Sequence, residues 1–316
     1  MGFFYATMRD DKMKRLILVY NPRSSHYTKV KRDVITKLQG LSGWMIGKFE
    51  VADTDVDDNA GRLAKILLDN DLVISAGGDG TANIAMNGVM LSGRKDVKLG
   101  VLGYGNFNDM ARSFGKPKLQ DILEGKPEKV WPLECSINGK HWRYGMCYFT
   151  IGMFAEACGV FDHPKTRRAL RKGNKRTVFS LGVLIQWWMR QHRKQFMPEF
   201  ELGGGTGEYV PSNKASDYMA VNGKTVAKIM RGGKYFLQKD GFLSAMGKMN
   251  KFWPLFAMMT RSVFHRVPGI ESDYDELVFR KPSRMMFQAE GEYKMISGVE
   301  KVEIRKATAP LLVIMK

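Results

Sequence analysis

An α/β domain built on a parallel sheet, followed by a mostly antiparallel β-rich domain with a basic helical insertion, is the fold class this sequence predicts. Three observations carry the prediction. Short β-branched and aromatic runs alternate with helix-period segments through the first 130 residues, and those runs end abruptly in glycine or other turn formers. Beyond Trp131 the punctuation changes to closely spaced Gly, Asn and charged turns, the pattern of antiparallel strands.

The elements follow in order. Residues 16–20 form an apolar run that breaks at Asn21, Pro22, Arg23, Ser24 and Ser25, which reads as strand into loop. Val30, Val34, Ile35 and Leu38 recur at helical spacing within 28–41, and Leu63, Ile66 and Leu67 do so within 59–69. Strand signals return at 72–76 and 99–103, each followed by glycine and a helical pattern. Strands alternating with helices give a parallel sheet, and ligands of such sheets sit beyond the carboxyl ends of the strands, where all three unusual loops fall. A charged stretch at 123–130 with Gly125 and Pro127 marks the boundary, giving domains 1–130 and 131–316, with the last strand free to return to the first domain. The cleft between the domains is the default ligand site. Residues 163–194 form the basic, helix-rich insertion.

The chain of 316 residues, 44% hydrophobic, is long enough to bury two cores. Lys and Arg number 50 against 32 Asp and Glu, so a net charge of +18 favours polyanionic partners such as a nucleotide, nucleic acid or an anionic membrane. Cys135, Cys147 and Cys158 form neither a CxxC pair nor a disulfide framework, which suits a reduced cytoplasm. The first residues lack the apolar core of a signal peptide, and no apolar run reaches the roughly 18 residues of a membrane span. The five histidines show no metal-ligand spacing, and no GxSxG elbow, Walker loop or GxGxxG fingerprint occurs.

The chemistry concentrates at Gly77, Gly78, Asp79, Gly80 and Thr81, which follow a buried-looking strand and open a helix. Bare backbone lets a phosphate chain approach, and the amides at a helix start donate to its oxygens. Asp79 beside phosphates makes sense through a bridging Mg²⁺ or water; the same stretch also reads as a tight turn capped by Asp79 and Thr81.

This GGDGT motif resembles the signature of the diacylglycerol, sphingosine and NAD kinase superfamily, and the chain as a whole resembles the bacterial-type lipid kinases with a diacylglycerol kinase catalytic domain. Asn21 to Ser25 resemble the family's NPxSG loop, with Ser25 in place of glycine. Residues 105–112 resemble its GTxNDFAR segment, with Asn106 in place of threonine. Asn222, Gly232 with Gly233, and Asp240 with Gly241 follow in the family's order, and Glu290, Gly291 and Glu292 resemble its terminal DGE. Glu290 therefore replaces an aspartate, and Ile84 stands where a glutamate usually follows the GGDGT motif.

The resemblance implies a first domain that binds ATP and Mg²⁺ and a second that binds lipid. It assigns Glu290 as general base, Asp79 to phosphate organisation, and Glu292 to the metal or water network, so that Asp79 and Glu292 are the expected metal residues. Asn21, Ser24, Gly77, Gly78, Gly80, Thr81, Gly105, Asn108 and Asp109 are the expected nucleotide contacts. Asn108 and Asp109 also read as a helix N-cap.

The acceptor is expected to be a lipid hydroxyl, that of diacylglycerol before that of a sphingosine-like base, with a non-catalytic lipid-binding pseudokinase as the alternative. Residues 163–198 contain no acid and interleave Lys and Arg with Trp187, Trp188 and aliphatics, and 242–267 repeats the mixture with methionines. That composition suits an interfacial surface on the inner face of an anionic membrane, bound peripherally. No RRM, KH or helix-turn-helix pattern emerges, so nucleic acid is not an expected partner; a homodimer is left open.

Overall fold

The computed structural model describes residues 13–162, 176–191, 193–204, 209–211, 215–228 and 230–316. Residues 163–175, the most basic part of the expected insertion, lie outside these.

The first sheet has six strands in the order β2, β1, β3, β4, β18, β5. Strands β1 (Lys14–Tyr20), β2 (Trp44–Glu50), β3 (Leu72–Gly77) and β4 (Lys98–Gly103) run parallel, and β18 (Leu311–Ile314) joins them parallel to β4. Only β5 (Pro127–Val130) pairs antiparallel, against β18. Central β3 is buried at every residue, as expected of a strand covered on both faces. Edge strand β2 was not announced by periodicity, because Gly47 and Lys48 interrupt its apolar run.

The crossovers are helical. After β1 a continuous segment runs through α1 (Tyr27–Val30), a π turn at Lys31–Ile35 and α2 (Thr36–Gln39), and it buries Val30, Val34, Ile35 and Leu38, the four positions read from the sequence. α3 (Val56–Ile66) starts three residues before the expected 59 because Asp55 accepts the Asp58 amide and caps it. α4 (Asp79–Ser92) connects β3 to β4, ending at Gly93 in the left-handed conformation that stops helices. Two short helices, α5 (Asp109–Ser113) and α6 (Leu119–Glu124), follow β4.

The second sheet has ten strands and is antiparallel. Its spine is a long hairpin of β16 (Tyr274–Ala289) and β17 (Glu292–Lys306). On one side β17 meets β6 (Leu133–Ile137) and then β7 (Lys140–Gly145). On the other, β16 meets β8 (Tyr148–Gly152), then β11 (Asp217–Val221), β14 (Phe242–Gly247) and β15 (Ile270–Ser272). β9 (Phe200–Gly204) pairs the opposite end of β16, with β10 (Tyr209–Pro211) beside it. A separate ribbon of β12 (Thr225–Val226) and β13 (Met230–Arg231) lies near the first sheet's α5.

Among the described residues, three helices accompany this sheet: α7 (Met153–Asp162), α8 (Arg176–Gln191) and α9 (Phe252–Phe264). Glu156 sits on α7, where the chain leaves β8 through the positive φ of Gly152. Among the described residues, no helix is long and apolar enough to cross a membrane.

Candidate active site

The three unusual loops emerge side by side, because β1, β3 and β4 are neighbours that all point the same way. Tyr20 pairs with Ala76, which sets Asn21 level with Gly77 at the strand ends. Gly77 closes β3 and Gly78 is the N-cap of α4, with no side chain capping it. The amides of the first turn of this 14-residue helix therefore have no intrahelical acceptors, and the helix dipole places positive potential there. Such a terminus has the polarity to receive an anion.

Two of the glycines also let the protein's own parts approach one another. A Cβ on Gly105 would lie 2.5 Å from the Gly78 Cα, so the second and third loops pack backbone to backbone. A Cβ on Gly80 would meet the Glu292 Oε1 at 2.1 Å, so a carboxylate from the second sheet rests over the first turn of α4. The space left bare by these two residues is filled by the protein's own atoms. What α4 offers an anion is its amides.

Asp79 also departs from expectation. Its Oδ2 accepts the Asn108 amide at 2.8 Å and its Oδ1 accepts the Asp109 amide at 2.7 Å, so it caps α5 across two loops. Desolvation pushes its carboxyl up to about 7; the charge of Asp109 adds to the rise and the amides of residues 108–110 oppose it. Asn108 occupies the N-cap position of α5 in the left-handed conformation, with φ of 56°, and its amide side chain clasps the Gly105 amide and carbonyl instead of capping. Asp109 is buried, and its Oδ1 accepts the Thr225 hydroxyl and the Lys228 amide, each at 2.8 Å. Burial raises its pKa. These bonds tie the third loop to the ribbon β12–β13.

Glu290 and Gly291 form the two-residue turn between β16 and β17, with φ of 54° and 83°. Two positive φ values in succession match the hairpin turn that favours Asp-Gly or Asn-Gly, which accounts for the short acid usual at this place in the resembled family. Glu290 is not the solvated hairpin carboxylate that such turns usually carry. It is 1% exposed, and its Oε1 accepts the amides of Cys147 and Tyr148 while its Oε2 is buried with no hydrogen-bond partner. Burial pushes this carboxyl up to about 8, with the nearby charges of Asp79 and Asp109 adding to the rise and the two amides opposing it. The chain has thus gathered three acids, Asp79, Asp109 and Glu290, from three distant segments within electrostatic reach of one another.

The other expected residues make contacts of their own. Asn21 Oδ1 accepts the Arg23 amide at 2.9 Å and shapes its own loop, while Ser24 donates its amide to the Asn21 carbonyl. Arg23 pairs with Asp53, Arg112 donates to the Phe107 carbonyl, and Glu156 accepts Lys194. Thr81 is buried, and Ile84 packs in the core. Among the described residues, no three acidic, histidine or cysteine side chains converge as metal ligands. With both Asp79 oxygens engaged by amides, Asp79 and Glu292 do not fit a Mg²⁺ held by the protein alone.

Several residues in the scaffold were not anticipated as site residues. Asn83 and Asn87, one turn apart on α4, are buried; Asn83 donates to the Ala289 carbonyl and Asn87 exchanges two bonds with the Tyr144 backbone. Two asparagines spaced four apart in an otherwise apolar helix were a legible signal that this helix meets backbone on its buried side. Thr225 gave no such signal, because a lone threonine is common on any strand.

The architecture defines the class first: an α/β layer joined to an antiparallel layer, the fold of the diacylglycerol kinase-like proteins. A structure of a diacylglycerol kinase from Bacillus anthracis str. Sterne superposes with a TM-score of 0.67 at 15% identity, covering 96% of this chain and 97% of that one. Residues 15–131 match the family described as the diacylglycerol kinase catalytic domain, as the sequence motifs suggested. The diacylglycerol kinase of Bacillus subtilis (strain 168) is 35% identical over 121 residues, 35% of this chain and 36% of that protein. The diacylglycerol kinase of Staphylococcus aureus (strain bovine RF122 / ET3-1) is 31% identical over 125 residues, 37% of this chain and 38% of that protein. The matched segment thus spans little more than a third of these curated relatives.

Proposed function

We propose that the chain is an ATP-dependent lipid kinase that moves the γ-phosphate onto the hydroxyl of diacylglycerol, giving phosphatidate. The observation that carries the reading is the meeting of two layers at one point. The uncapped start of α4 offers amides to a phosphate chain, and the 290–292 hairpin brings the Glu292 carboxylate to that same turn. Phosphoryl transfer needs positioning and a proton acceptor near the attacking hydroxyl more than it needs covalent chemistry.

In this reading the first-turn amides at Asp79, Gly80 and Thr81 take the phosphates, and the loops at Asn21, Ser24, Gly105 and Asn108 flank the nucleotide. Asp79 acts as a positioning residue that locks the third loop. Glu290 is the base: its unpartnered Oε2 takes the hydroxyl proton once the carboxyl is ionised. Mg²⁺ would come with the nucleotide as the counter-ion that neutralises its phosphates, and Glu292, whose carboxylate rests over Gly80, would support the water network at that turn. The region 131–316 holds the lipid, and 1–130 the nucleotide.

One observation favours a second reading. Glu290 is 1% exposed, and a base closed off from its acceptor would leave a non-catalytic lipid-binding protein. Incubation with γ-labelled ATP, Mg²⁺ and a lipid panel in detergent micelles separates the two. Labelled phosphatidate supports the kinase; a labelled long-chain base moves the acceptor assignment; no labelled lipid, with nucleotide uptake absent by calorimetry, removes the kinase reading.

A further inference from the structure

Helix α9 carries an aromatic face that the rest of the described chain does not cover. Phe252 is 54% exposed, Trp253 73%, Phe256 51% and Phe264 71%. At 100° per residue these four fall within an arc of roughly 120°. The opposite side is anchored: Met258 and Ser262 are buried. The rings of Phe252, Trp253 and Phe256 lie 5.2 to 6.3 Å apart, so they form one patch and not scattered surface residues. Phe252 also meets Trp188 of α8, whose Ile185 is 53% exposed.

The segment that carries the patch is charged with one sign. Residues 242–270 contain no aspartate or glutamate, and Lys248, Lys251 and Arg261 are exposed around the helix. Aromatic rings ringed by cations suit the boundary between acyl chains and anionic headgroups. A second copy of this chain suits it poorly. Two such faces would bring like charges together on a protein of +18, and the four rings offer roughly 500 Å², short of the ~800 Å² per partner of a stable interface.

We propose that the α9 face docks on an anionic bilayer. Phe252, Trp253, Phe256 and Phe264 enter the headgroup boundary, and Lys248, Lys251 and Arg261 meet lipid phosphates. The inference deepens the lipid-kinase reading, because it says where the bilayer that supplies the acceptor lies. The face is also joined to the site: the Val267 amide donates to the Arg231 carbonyl of β13, and the loop of that same ribbon donates the Lys228 amide to Asp109. Docking therefore sets the ribbon that holds Asp109 against the membrane side of the molecule.

Flotation of the full chain with vesicles, without ATP, tests it. Wild type is expected to float with phosphatidylcholine–phosphatidylglycerol vesicles, and less at raised salt or with phosphatidylcholine alone. Trp253→Ser with Phe256→Ser should reduce partitioning by about tenfold or more, with the melting temperature unchanged because both side chains are exposed. Lys248→Glu with Lys251→Glu should abolish the preference for anionic vesicles. Brominated acyl chains should quench tryptophan emission in wild type and quench it less in Trp253→Phe.

Equal flotation of the Trp253 and Phe256 double variant overturns the proposal. So does a dimer that the same variant converts to monomer, or duplex DNA binding that it abolishes while flotation persists. If no lipid is phosphorylated yet the variant loses flotation, the kinase reading falls and the docking face stands. If micellar diacylglycerol is phosphorylated and the variant floats like wild type, the docking face falls alone.

Discussion

The six-stranded and ten-stranded sheets contribute to the site in opposite ways. The first delivers its groups at strand ends, since the loops at 21–25, 77–81 and 105–109 each lie just past a strand end and the parallel pairing of β1, β3 and β4 sets them level. The second delivers its groups by distant pairing: Glu290 rides a hairpin, its amide donors come from residues 147 and 148, and Thr225 arrives on a separate ribbon. Binding capacity thus belongs to a geometry that the parallel fold supplies, whereas the acid that would run the chemistry depends on antiparallel register being right.

The largest expected effect breaks that division. Glu290→Gln should lower phosphoryl transfer by about 10²–10⁴-fold while nucleotide uptake by calorimetry stays. Loss of uptake as well would show that the second sheet also shapes the nucleotide site. The pH profiles follow from the raised pKa of about 8. Transfer should rise with pH through about 8 as the base loses its proton. Stability runs the other way, because the folded state holds a proton that the unfolded state releases near 4.5, so stability due to Glu290 is lost as pH rises from that value to about 8. Glu290→Gln should flatten this slope in denaturant titrations.

A second test sharpens the role of bare backbone. Gly105→Ala forces a Cβ to within 2.5 Å of the Gly78 Cα and should cost about 1–3 kcal/mol by urea unfolding. Gly61→Ala, on α3 with nothing within 4 Å, should stabilise by about 0.5–1 kcal/mol. Equal effects would mean that the two loops do not touch as described.

Lys306 gives the next effect in size. It is 8% exposed, and its ammonium donates to Asn222 Oδ1 at 2.5 Å and to the Tyr235 carbonyl at 2.7 Å, where β17 passes back toward the first layer. Burial lowers its pKa to about 7. The unfolded chain binds the extra proton between about 7 and the ordinary 10.5, so this group's contribution to stability should grow as pH rises across that window. Lys306→Met should remove that growth, and its persistence would place the titration elsewhere.

The smallest effect belongs to the ion pairs of Lys294 with Asp55 and Asp57, at 3.1 and 3.2 Å, which link the long hairpin to the start of α3. Lys294→Ala should cost only about 0.2–1 kcal/mol, and less in salt. A larger loss would show that the two layers rely on surface charge to stay in register.

The sequence made the first layer readable because its elements are punctuated: a periodic run, then glycine or a cap, with little dependence on anything far away. Residues 72–76 and 99–103 were read within a residue of their observed limits. The role of Asp79 was less accessible. A carboxylate after two glycines looks the same in sequence whether it faces a metal or the amides of residues 108 and 109, and only the loop alignment decides. Glu290 was found by its motif, yet its burial was invisible, since the residues that enclose it lie more than a hundred positions away in the chain. The same holds for the aromatic face of α9: composition placed it among greasy, basic segments, but only the fold shows which rings turn outward.

The position of β18 carries one more consequence. The layer that holds the glycine turn has a gap between β4 and β5 until residues 311–314 fill it. In chain order, therefore, the β4 edge of this sheet gains its native neighbour only when residues 311–314 have been made, after nearly all of the second layer.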